Sequence, residues 1–155
     1  MSEEADYGVL LPSLSERLGS AVGGVLGWIS YATMRMGQAG FAERLADRAI
    51  DLRRHSRGAI RTLGYIAWLN GRRAGFRGRL IVEGHVATGR FAGKNFYATY
   101  EVAAFNEARA LELIRRFERD AAPSSLRIDS GSLDHPDPGG EGVLYVLPGR
   151  TFYRD

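Results

Sequence analysis

The chain has no cysteine. That removes disulfides, thiolate zinc sites, iron–sulfur clusters and cysteine nucleophiles as sources of stability or chemistry. Lysine is almost absent as well: of 21 basic residues, only Lys94 is not arginine. Long apolar runs are missing. The longest uncharged stretch, residues 18–34, falls short of the roughly 20 residues that a membrane span requires and is diluted by glycine and serine. The start, Met-Ser-Glu-Glu-Ala-Asp, is acidic where a secretory leader is basic, so a cytoplasmic location is expected.

The catalytic signatures are also missing. There is no Gly-x-Ser-x-Gly elbow, and the glycines at 19–27 lack both a preceding strand and a following Lys-Ser/Thr pair, so they do not form a phosphate loop. His55, His85 and His135 are far apart, without metal-motif spacing. His85 and Glu83 share one side of a predicted strand, a pair that does acid–base work only when it faces a cleft. The stretch Asp129–Gly142 carries carboxylates and His135, but its spacing is not that of a calcium loop, and Pro136 and Pro138 restrict it. Neither a metal nor a cofactor is expected, and the reading leans away from an enzyme.

Composition is otherwise that of a globular chain, with 45% hydrophobic and 25% charged residues. Residues 1–12 read as a tail or arm, with an apolar run at 7–11 stopped by Pro12. Residues 13–72 read as a helical region and 76–155 as an α+β domain.

Ser13 and Glu16 have capping-box spacing and start a helix over 13–35. Leu14, Leu18, Val22, Val25 and Ile29 recur at steps of four, four, three and four, which defines one apolar face. Gly19, Gly23 and Gly27 repeat every four residues about half a turn away, and no charge lies between Arg17 and Arg35. A helix without a polar face is normally covered on both sides. Each interior glycine costs roughly 1 kcal/mol against alanine, so a close backbone approach should offset it. Gly19, Gly23, Gly27, Trp28 and Tyr31 are therefore the expected packing residues, with the helix over 41–69 as one neighbour and a protein partner or a second copy as the other. Trp28 and Tyr31 also suit a membrane interface, making peripheral membrane contact of this helix a further expectation.

Gly37 and Gly40 are expected to end the first helix and a longer one to run from 41 to 69. Alternation over 79–88 and 95–104, with a glycine-bounded turn between, predicts a β-hairpin. Asn106 should cap a helix reaching about 121, short strands should lie at 126–128 and 143–147, and 129–142 should be a loop. The predicted order is β-β-α-β-β after two helices, an α+β fold with a small antiparallel sheet that approaches the ferredoxin-like arrangement if residues 7–11 add a strand.

A second functional expectation follows from charge. Between Arg44 and Arg79 stand ten arginines against Asp47 and Asp51, a basic stripe of the kind that meets nucleic acid. Arg53, Arg54, Arg57, Arg61, Arg72, Arg73 and Arg77 are its candidate phosphate contacts. Lys94-Asn95-Phe96-Tyr97-Ala98-Thr99-Tyr100, followed by Asn106-Glu107-Ala108, loosely resembles the third strand and second helix of RNA-recognition motifs. Over those roughly 25 residues the resemblance implies a leading cation, Lys94, and base-stacking rings at Phe96 and Tyr100. It departs at Ala98, where that family carries an aromatic.

Overall fold

A computed structural model describes residues 13–153. The apolar run at 7–11 lies outside the described residues. The chain is mixed α+β: four helices and an antiparallel sheet of five strands among the described residues.

Helix α1 spans Leu14–Arg35. Its capping box forms as the spacing requires: the Glu16 amide donates to Ser13 Oγ at 3.3 Å, and the Ser13 amide donates to Glu16 Oε2 at 2.6 Å. Gly37, at φ +86°, reverses the chain immediately after the Met36 C-cap. Gly40 does not break anything; it lies in the first turn of α2, Ala39–Leu52.

The single helix expected over 41–69 is two helices. The chain leaves α2 at Arg53, in extended conformation, and re-enters α3, Arg57–Leu69, at Ser56. The physical reason is α1. It crosses α3 so closely that a methyl group at Gly58 would lie 2.4 Å from the Gly27 carbonyl carbon, and one at Gly23 would lie 2.8 Å from Arg53 Cβ. Buried hydroxyls join the crossing: Ser30 Oγ donates to the Gly27 carbonyl at 2.6 Å and lies 2.9 Å from Thr62 Oγ1, while Ser56 Oγ donates to the Gly23 carbonyl at 3.2 Å.

Strands β1, Arg73–His85, and β2, Asn95–Ala104, form the hairpin, with Leu80 opposite Tyr100 and Val82 opposite Ala98. Helix α4, Glu107–Arg115, is capped by Asn106, whose Oδ1 accepts from the Arg109 amide at 2.8 Å. A short 3-10 turn at Pro123–Ser125 leads to β3, Arg127–Gly140. The stretch 129–142, expected to be a loop, is almost entirely strand. It tolerates Pro136 and Pro138 because β3 is an edge strand, and it follows β1 through three register shifts. Glu141 alone separates β3 from β4, Gly142–Val146. Its amide bonds to the Arg72 carbonyl at 3.1 Å as the chain passes the start of β1. β4 and β5, Thr151–Tyr153, both pair with β2, at Tyr100–Ala103 and at Asn95–Tyr97 respectively.

The strand order β3-β1-β2-β4 makes β2–α4–β3 a split β-α-β unit with β1 between its strands. One core joins the helical region to the sheet: Ala49, Ile50, Ala59 and Ile60 pack with Leu80, Val82, Phe96, Tyr100, Ile114 and Phe117. Among the described residues no helix covers the other face of the sheet, where Ile81, Glu83, Tyr97, Thr99 and Glu101 are half-buried.

The crossing is testable by urea unfolding. Gly58→Ala is expected to destabilise by about 1–3 kcal/mol through overpacking. Gly64→Ala, in the same helix with nothing within 4 Å of the added methyl, is expected to stabilise by about 0.5–1 kcal/mol. Equal shifts would show that α1 and α3 are not in close contact.

Candidate functional site

The two edges of α1 have opposite fates. Gly23 and Gly27 are buried against the chain's own Arg53, Ser56 and Ala59, and Gly19 is half-buried near Leu52. At Gly23 and Gly27 the glycine edge is therefore taken up by the chain's own α2 and α3, leaving no surface there for a separate partner. The reason is steric: only a side without Cβ atoms lets α2 and α3 approach so closely. Tyr31 is half-buried beside the Met34–Ala42–Ile66 cluster and meets Trp28 edge-on at 6.1 Å.

The apolar face is left in solvent. Leu14, Leu18, Val22, Val25, Trp28, Ile29 and Met36 are between 47% and 74% exposed, and Ala21 and Ala32 are exposed among them. This strip runs along a 22-residue helix, with Arg17 and Arg35 at its border near the two ends, roughly 33 Å at the α-helical rise. Contiguous apolar patches of this kind mark interaction sites far more often than singly scattered residues do. Arg61 lies over the Trp28 ring at 5.7 Å, at the edge of the strip.

The basic stripe does not assemble into one surface. Arg54 is withdrawn into the protein, where it pairs with Glu118 at 2.6 Å. Arg53 donates to His55 Nε2 at 3.1 Å. Arg57 and Arg61 are exposed on α3, and Arg72 is exposed just before β1. Arg73 stacks on Trp68 at 3.5 Å. Arg77 is exposed on β1, whereas Lys94 lies beyond its far end near Phe91 and Phe152, about 30 Å away by strand rise. The two rings assigned to base stacking, Phe96 and Tyr100, are fully buried. They share the apolar side of β2 with Ala98 and Val102, which is the side that the helices cover.

The rings on the open face are others. Tyr97 stacks on Tyr153 with centroids 4.8 Å apart, and the Tyr153 hydroxyl bonds to Glu83. Arg127 pairs with Glu83 and Arg79 with Glu101 at 2.9 Å, so most of the cationic groups there are already matched. His85 bonds to Asn95 at 2.8 Å rather than to Glu83. Strand parity pointed to Tyr97, since it alternates with the apolar residues; nothing local announced Tyr153, whose strand is three residues long.

A buried ionic cluster centres on Glu118. Glu118 accepts from Arg54, Arg150 and the Tyr100 hydroxyl, and Arg150 continues to Asp120 at 2.6 Å. The Arg150 guanidinium lies 4.3 Å from the Phe96 ring centroid. Burial pushes the Tyr100 phenol well above its ordinary range. Burial opposes ionisation of Asp120, but its hydrogen bonds and charge contact with Arg150 prevail and hold its carboxyl below the usual value. An adjoining open cavity of about 450 Å³ is lined by Arg54, Thr88, Arg119, Asp120 and Arg150 among others. Its arginines are engaged by Glu118, Asp120, Asp47 and Asp51, so the cluster acts as an internal clamp joining the α2–α3 turn, the segment after α4 and the β4–β5 connection.

Among the described residues no group of three or more His, Asp or Glu is placed to hold a metal ion. No described helix is long and apolar enough to cross a membrane. No protein-family model, curated protein or solved structure matches this chain.

Two outcomes are expected. Glu118→Ala leaves the Arg54 guanidinium without its carboxylate, Arg150 with Asp120 alone and the buried Tyr100 hydroxyl without its acceptor, and is expected to cost about 3–5 kcal/mol in chemical denaturation; a loss under about 1 kcal/mol would show the clamp to be idle. Burial first, then the charges of Arg53 and Arg54, hold the His55 imidazole below its ordinary value. The folded chain therefore binds fewer protons there than the unfolded chain. That contribution to stability is full above about pH 6.5 and is lost as pH falls through the folded value. His55→Gln should flatten the fall in unfolding free energy between about pH 7 and 5, and an unchanged profile would contradict this.

Proposed function

We propose that this chain is a non-enzymatic assembly module that docks on another protein surface through the open face of α1. The carrying observation is that Leu14, Leu18, Val22, Val25, Trp28 and Ile29 stay in solvent while the glycine edge of the same helix is buried. Burying such a face releases about 25 cal/mol per Å² of apolar area. Leaving it in water forgoes that energy and invites aggregation.

The rest of the molecule fits a supporting role. α1 is held by a close backbone crossing, by the buried Ser30–Thr62 contact and by Leu26, Tyr31 and Met34 on its inner side. The large side chains of its outer face are free for a partner without loss of the fold. The ionic clamp and the shared core hold the platform on which α1 lies.

The test is native mass. Tagged protein in lysate of the cells that make it is expected to run well above the 17.1 kDa of one chain. The Leu18→Glu/Val25→Glu double variant is expected to run as the monomer with an unchanged far-ultraviolet circular dichroism spectrum, because both substitutions lie in solvent in the free chain. Wild-type protein found only at monomer mass sinks the assembly reading.

A further inference from the structure

The partner of the open face can be narrowed, resting on the assembly reading above. Leu14, Leu18, Ala21, Val25, Trp28 and Ala32 follow steps of four, three, four, three and four, and every one is exposed. That 3.5-residue period is the repeat of a helix that lies along another helix. Val22, Ile29 and Met36 widen the same strip at seven-residue intervals.

We propose that α1 pairs in antiparallel fashion with α1 of a second copy of this chain. Side-chain size argues for that orientation. With the two-fold axis near residue 23, Leu14 meets Ala32, Ala21 meets Val25 and Leu18 meets Trp28 of the second copy, so small residues oppose larger ones in two of the three kinds of layer. A parallel pair would set Trp28 on Trp28 and Ala21 on Ala21, overfilling one layer and emptying another. Charge argues the same way. A parallel pair brings Arg35 onto Arg35 and Arg17 onto Arg17, whereas the antiparallel pair separates the like charges and opposes the helix dipoles. At these exposures the strip holds on the order of 800 Å² of surface, about the contribution of each partner to a standard stable interface. The pairing is self-complementary and closes at two copies.

A lipid surface fits less well. A helix that lies in a membrane interface has a strongly charged face opposite its apolar one. Here that opposite edge is glycine, buried on α2 and α3.

The absence of cysteine makes the test direct, since one introduced thiol is unique. The purified chain at tens of micromolar is expected to scatter as twice 17.1 kDa. Val22→Cys, beside the axis, is expected to give a covalent dimer with a short bis-maleimide. Met36→Cys is not, because antiparallel copies hold those positions about 40 Å apart along the axis. Val25→Glu is expected to raise the dissociation constant by about a hundredfold or more. Linkage through both cysteines overturns the antiparallel pairing. A purified chain that stays monomeric overturns the second-copy proposal. If the lysate species is nevertheless larger and depends on Leu18 and Val25, the assembly reading survives without it; if that species is also monomeric, both fall. A monomer that instead sediments with phosphatidylserine vesicles also overturns the proposal, in favour of a lipid surface.

Discussion

The contact between Gly27 and Gly58 is the constraint on which the rest of the helical layer depends. Neither residue can carry a Cβ without driving it into the other helix's backbone. That approach fixes which edge of α1 faces inward and bends the chain at Arg53–Ser56. It also allows Ser30, Ser56 and Thr62 to be buried with their hydroxyls bonded to carbonyls of the same crossing. The energetic reward comes from close backbone packing and satisfied hydrogen bonds, to which the burial of Met34 and the partial burial of Leu26 and Tyr31 add. A helix docked in this way keeps Leu14, Leu18, Val22, Val25 and Trp28 outside.

Arginine is used here chiefly as a connector. Arg54 and Arg150 converge on Glu118, Arg116 reaches Glu43 and Asp47 on α2, and Arg109 reaches Glu141 where the chain passes from β3 to β4. Planar, forked guanidinium groups suit such shared and bidentate contacts better than ammonium groups do, which is consistent with the near absence of lysine. The basic stripe read from residues 44–79 is thereby redistributed. Part of it is buried in ion pairs, part stacks on rings, and the remainder points in several directions. A charge count along the chain does not register partners such as Arg116 and Arg119, which meet Asp47 and Asp51 from the far side of the sequence.

Local chemistry was legible where it acts over a few residues. Ser13 with Glu16, Asn106 before α4, and the alternation of Leu80, Val82, Phe96, Ala98, Tyr100 and Val102 each named an element correctly, because caps and pleats depend on neighbours three or fewer positions away. The comparison with base-stacking strands assigned Phe96 and Tyr100 to the surface, whereas they share the buried side of the pleat with Ala98 and Val102. The extent of β3 was not legible. Aspartate, proline and glycine are turn residues in isolation, and only β1 lying alongside converts Asp129–Gly140 into an edge strand. β5 was too short to give a pattern.

By itself the sequence determined that α1 has no charged face, that its glycines and its large apolar residues lie on opposite edges, and that an antiparallel hairpin and a capped helix follow. These are consequences of fixed helical and pleated periods. Only the tertiary structure decided which edge of α1 is covered, because two apolar edges compete for the same neighbours and hydropathy does not rank them. Backbone-to-backbone proximity ranks them. The edge without side chains admits α2 and α3 to contact distance and wins the interior, and the edge with larger side chains is left as the surface on which a partner can act.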